Sequence, residues 1–348
     1  MNRTLYIVFI VAACLLDACT KHMVNPEQSV SDASRSYIFF ESKVNSSVDT
    51  KATLITSNSL PTDGNAKFGV IGYYGSTSVF ANHANGIAQV SVGTDGICRY
   101  SNLAAWQNSD PSAETKHNFY AFYPYSINEN VKINGGNPYV EYMQPATEDA
   151  MIDILTAHTS TSRVSGVGLE FHHRLSALEL CIENTQTEGY SSTGITSNPS
   201  ITITDVNIEF IQYPVGGNIF INEVNAISPS TDVADYKYDL LSTNTVLRSQ
   251  SEASESSKWT SSPLLLLPIS GLKYKVTITY LDHNNQDYVF DSGVKTAETS
   301  FSGGNSYLLI IKKGNATDVL SVGWHIEGID SNQVEGCWSD KDVPHQFN

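Results

Sequence analysis

Apolar and polar residues alternate with a period of two along much of this chain, which is the pattern of half-buried β-strands. The clearest run lies at the centre. Val167, Leu169 and Phe171 alternate with Gly168, Glu170 and His172, and then Leu178, Leu180 and Ile182 alternate with Glu179, Cys181 and Glu183. The two halves are out of phase. Each residue along a strand flips to the other face, so the change near Ser176 requires a bulge, a bend or two strands. This stretch is expected to open a second domain. Tyr274, Val276, Ile278 and Tyr280 alternate in the same way, as do Val322, Trp324 and Ile326. Leu264 to Leu267 is apolar throughout, which predicts cover on both faces.

In the first half, Tyr37 to Val48 sets Ile38, Phe40 and Val44 opposite Glu41 and Lys43 and runs into polar Asn45 to Thr50. A short strand is expected over Ala52 to Thr56. Lys67 to Tyr74 reads as a buried strand whose glycines allow close backbone approach. Asn118 to Tyr125 reads likewise, ended by Pro124. Between them Ser76 to Lys116 is loop-rich, with Trp106 as an anchor in the core or between sheets. Asn134 to Asn137 is a turn, Ala150 to His158 closes the first domain, and Thr159 to Gly166 is the linker. Further strands are expected over Ser200 to Gln212, Gly217 to Glu223, Ser306 to Lys312 and Asp318 to Ile326, with Ser242 to Ser262 a surface excursion. Helical periodicity is hard to find. The expectation is an all-β chain, and 348 residues suit two domains, 37–160 and 161–348.

Composition narrows the function classes. With only 16% charged residues and a net charge of -16, the chain lacks the basic face that nucleic acid or an anionic lipid surface requires. The start of the chain is a targeting segment. Arg3 precedes an apolar run from Leu5 to Leu16 that is too short to span a bilayer and long enough for a signal peptide over 1–18. Leu16-Asp17-Ala18-Cys19 resembles the lipobox of bacterial lipoproteins, which would make Cys19 the lipid-bearing first residue of the mature chain and residues 19–36 a polar tether. An ordinary signal peptide with an incidental cysteine is the alternative. Cys98, Cys181 and Cys337 are odd in number and scattered, so no disulfide framework is implied.

No catalytic or metal-binding constellation stands out. His172 and His173 are adjacent, so on a strand they point to opposite faces, and no HExxH, GxSxG or dinucleotide fingerprint occurs. The reading is of a non-enzyme without metal or cofactor. Trp259 and Trp338 lie in polar surroundings and are the better candidates for stacking on a sugar.

The order of short motifs resembles the fimbrillin family of Bacteroidales, the FimA-like and Mfa-like subunits of cell-surface fimbriae. The matching residues are the lipobox at Cys19, Ile38-x-Phe40-x-Ser42-x-Val44, the basic-Ala-Thr step at Lys51, Phe68-Gly69-Val70, Phe119 to Pro124, Asp153 to Ala157, and Phe171 to Leu178. The resemblance implies two tandem transthyretin-like β-sandwich domains in a lipoprotein precursor exported to the outer membrane. It also implies assembly with other fimbrial subunits after processing by a lipoprotein signal peptidase and a trypsin-like protease. On this sequence the cut falls between Lys51 and Ala52, the removable strand carries Ile38, Phe40 and Val44, and the candidate donor strand carries Val322, Trp324 and Ile326. Lys51 stands where arginine is usual in the family, so an accessory subunit that keeps its first strand is the other outcome. The alternative function class is a monomeric surface lipoprotein that binds a glycan or another ligand.

Overall fold

The computed structural model describes residues 37–44, 59–108, 114–134, 136–162, 166–186, 189–191, 194–196, 200–222, 226–248, 257–314 and 324–330. The fold is all-β and sandwich-like, and among the described residues helix is confined to short 3-10 turns such as Tyr125–Asn130. The first sheet runs in the order Phe40–Val44, Val167–His173, Leu155–Thr161, His117–Tyr123, Lys67–Tyr74, Ile87–Val92 and Cys98–Arg99. It is covered on both faces. Phe68, Val70, Phe119 and Ala121 enter one buried cluster, while Ile71, Tyr120 and Phe122 enter another. Burial on both sides explains why these two strands read as nearly continuous apolar runs. Gly69 and Gly72 are the close approaches expected within Lys67–Tyr74, because the rings of Phe122 and of Phe80 occupy the space that a Cβ would take.

The central alternating run takes the two-strand form. Val167–His173 and Ser176–Asn184 are separate strands in different sheets, so the phase change at Ser176 marks a change of sheet. The strand that was expected to open a second domain pairs on both sides with strands from earlier in the chain. Val167–His173 lies inside the first sheet, parallel to Phe40–Val44 on one edge and antiparallel to Leu155–Thr161 on the other. Its buried residues Val167, Leu169 and Phe171 join the aromatic cluster of that sheet, and this packing decides its membership.

The remainder is built around two long pairings. Ser176–Asn184 runs parallel to Ser306–Lys313, with Leu264–Leu266 and Lys258–Thr260 on its other side. Ile201–Pro214 pairs with Lys273–Leu281 and with Val233–Asp239, and its register shifts between Ile203 and Asp205 and between Phe210 and Tyr213. A smaller sheet joins the two halves of the chain. Asn137–Met143 pairs with Val131–Asn134 across the expected turn and with Gly216–Phe220 on the far edge. Its buried Tyr142 leads to Gln144, whose amide reaches the Tyr238 hydroxyl and the Leu265 carbonyl, each at 3.2 Å. A buried polar group satisfied on each side in this way fixes one arrangement of the strands.

Candidate functional site

The first strand is where fold and expected function meet. Ile38, Phe40 and Val44 are 0%, 1% and 0% exposed, whereas Glu41 and Lys43 on the other face are solvent-facing. The Phe40 ring sits among three others, edge-on to Phe119 at 5.5 Å and tilted against Tyr100 at 5.7 Å and Phe80 at 6.2 Å. Full burial of three such side chains stabilises the strand by roughly 5–9 kcal/mol before the entropy of ordering it is subtracted.

The backbone of this strand is held on both sides. On one side it pairs in parallel with Val167–His173, Phe40 opposite Val167 and Val44 opposite Phe171, and the Val167 amide donates to the Phe39 carbonyl at 2.8 Å. On the other side Tyr37 bridges to Ala105, and the Ile38 amide donates to the Ala104 carbonyl at 2.9 Å. The Tyr100 hydroxyl donates to the Ile38 carbonyl at 2.8 Å and accepts from the Ala104 amide at 3.3 Å. Burial pushes the Tyr100 phenol well above its ordinary range, so it stays a donor. The Cys98 thiol lies 3.6 Å from the Ser42 hydroxyl. The sheet therefore curls until its two ends meet, and the first strand closes the seam. Without it, Val167–His173 would present an unpaired edge beside vacated pockets.

The profile of the fimbrillin-like family matches residues 50–328. This chain belongs to the fimbrillin-like family. The match begins beyond the first strand. A search of curated proteins finds no match. Similar solved structures include a candidate cell adhesion protein from Bacteroides ovatus ATCC 8483, 16% identical, with TM-score 0.48 over 86% of this chain and 99% of that one. Another is a candidate cell adhesion protein from Bacteroides uniformis ATCC 8492, 14% identical, with TM-score 0.48 over 87% of this chain and 99% of that one. A fimbrial protein from Bacteroides ovatus ATCC 8483 is 12% identical, with TM-score 0.37 over 81% of this chain and 50% of that one. Family membership suggests a structural role in a cell-surface fimbrium, with other fimbrial subunits as partners.

Other residues singled out in this fimbrillin-like chain fall into place separately. Cys19, Lys51, Ala52 and Val322 lie outside the described residues, as do Cys337 and Trp338. Trp324 and Ile326 belong to Trp324–Asp330, an edge strand antiparallel to Ser306–Lys313, with Trp324 opposite Lys313 and Ile326 opposite Ile311. The candidate donor thus completes its own sheet in this structure. His173 is buried with its Nδ1 3.0 Å from an Asp153 carboxylate oxygen, and His172 points to the other face. Beside them the buried Arg174 guanidinium donates to the Phe220 carbonyl at 2.9 Å. These groups tie the end of Val167–His173 to the sheet that joins the two halves. Among the described residues no three His, Cys, Asp or Glu side chains come together as a metal site, and no helix is long and apolar enough to cross a membrane. Trp106 is a half-buried anchor, edge-on to His117 at 4.8 Å and to Phe119 at 6.0 Å. Trp259 is half-buried against the second cluster, opposite Ile182. Cys98 and Cys181 are buried free thiols.

Sequence reasoning found the strand but not the bed it lies in. Phe80, Cys98, Tyr100 and Ala104 come from the segment read as loop, and only the aromatic residues there could have hinted at a pocket.

Proposed function

We infer that this protein is a fimbrial subunit, structural or accessory, exported as a lipoprotein through Cys19 and assembled by loss of its first strand and capture of a strand from a neighbour. The observation that supports this reading most strongly is the construction of the first strand. It is short, it lies at one end of its sheet, and its apolar side chains fill pockets formed by others. Removing it would expose a row of backbone donors and acceptors beside those pockets, and an incoming strand would satisfy the first and fill the second. Repeated head to tail, that contact is heterologous and open, and builds a filament. Lys51 lies shortly after the strand and is the processing point, cut before Ala52 by a trypsin-like protease. The strand containing Val322, Trp324 and Ile326 serves as donor to the next subunit after release from Ser306–Lys313.

Limited trypsin digestion of the soluble chain beginning after Cys19, followed by N-terminal sequencing and sizing, tests this. One early cut with a new terminus at Ala52 and release of the first strand is the expected result. Resistance at Lys51 with a monomer throughout would replace it with an accessory subunit that keeps its first strand or a monomeric ligand-binding lipoprotein.

A further inference from the structure

The bed of the first strand is a mould with unequal positions, and its shape restricts which strand can enter. Alternate residues of the resident strand meet different walls. Ile38 and Val44 are fully enclosed, and Phe40 lies in an aromatic box of Phe80, Tyr100 and Phe119. Ser42, on the same face, is only half-buried and meets the Cys98 thiol at the seam where the curled sheet closes on itself. A branched or aromatic side chain at that position would drive into the Cys98 sulfur or splay the seam, and overfilling a packed site weakens it. We propose that the groove admits a strand with the alternating pattern aliphatic, aromatic, small, β-branched, that Cys98 enforces the small position, and that the Val322, Trp324 and Ile326 segment of a second copy of this chain does not fit it.

The last clause follows from the chain's own donor candidate. Val322, Trp324 and Ile326 alternate in its sequence, and beyond Ile326 the register shifts, so that Gly328 and Asp330 fall on the other face from Trp324 and Ile326. With Trp324 in the Phe40 position, the Ser42 position receives Ile326 in one strand direction and Val322 in the other. Neither direction that seats Trp324 in the aromatic box satisfies the seam. Self-polymerisation with Trp324 in the aromatic box is therefore blocked by shape. This inference rests on the strand-removal reading above.

The test uses trypsin-cleaved soluble chain separated from its released strand, with protease quenched. Reactivity of Cys98 toward a thiol reagent, located by mass spectrometry, reports an open groove. Three labelled synthetic peptides are compared by fluorescence anisotropy: residues 37–44, the same peptide with Leu in place of Ser42, and residues 320–330. The expected result is that Cys98 becomes reactive on cleavage and that the first peptide binds and protects it. The other two should bind about tenfold more weakly or worse, and a Cys98→Ala chain should recover much of the loss for the Leu peptide. Equal binding of either of those peptides overturns the size pattern while leaving strand removal standing. A Cys98 that stays unreactive after cleavage contradicts strand removal itself, and the pattern falls with it.

Discussion

Two buried clusters in this molecule are equally dry and differently made. The cluster around Phe40 and Phe68 lies inside one curled sheet that is closed by a short strand from the beginning of the chain. The cluster around Phe210 and Tyr213 is knit by Ile201–Pro214 and Lys273–Leu281, long strands paired over most of their length. Both exclude water, but only the first owes its closure to a segment that a single cut would detach. Burial alone therefore does not tell a permanent element from an exchangeable one. Connectivity does.

The largest expected effects test that contrast directly. Phe40→Ala and Phe210→Ala each empty a fully buried aromatic site and should each cost about 3–5 kcal/mol in denaturant unfolding. Only Phe40→Ala should expose Cys98 to a thiol reagent in the uncut chain, because only that residue holds the seam. A smaller effect is expected where the two regions join. Arg174→Met removes the buried guanidinium that donates to the Phe220 carbonyl, and a loss of about 1.5–3 kcal/mol should appear in the same assay.

The next effect is a pH dependence confined to the second region. Burial lowers the Lys313 ammonium to about 8. From about pH 8 toward the ordinary lysine range, the unfolded chain holds a proton that the folded chain has released, so this group makes stability rise with pH. Below about pH 8 both states are charged and the full burial cost remains. Lys313→Met should raise the unfolding midpoint at neutral pH, and the difference between variant and parent should shrink above pH 8. The smallest effect is expected at the surface. Asp95 and Arg99 form a solvent-exposed pair at 2.7 Å, and Asp95→Ala should leave the thermal midpoint unmoved.

How far these regions could be read from the chain depends on what each strand buries. Lys67–Tyr74 and Lys273–Leu281 announce themselves because their apolar residues face a core, continuously in one and alternately in the other. Val233–Asp239 and Asp287–Asp291 were not legible, since edge strands facing water on much of their surface carry little apolar pattern. Ile87–Val92 alternates in Ala88, Val90 and Val92 but sits among turns that disguised it as loop. The strand of Ile38, Phe40 and Val44 was visible by its period. That it pairs with Val167–His173, and that Tyr100 and Cys98 close its other side, is a matter of long-range pairing on which local periodicity is silent.

Amide hydrogen exchange across Val167 to Phe171, measured on the soluble chain before and after cleavage at Lys51, tests the central claim most directly. Loss of the first strand should strip protection from these amides while those of Ile201–Pro214 keep theirs. Unchanged protection at Val167 to Phe171 in the cleaved chain, or equal loss in both regions, would contradict the account.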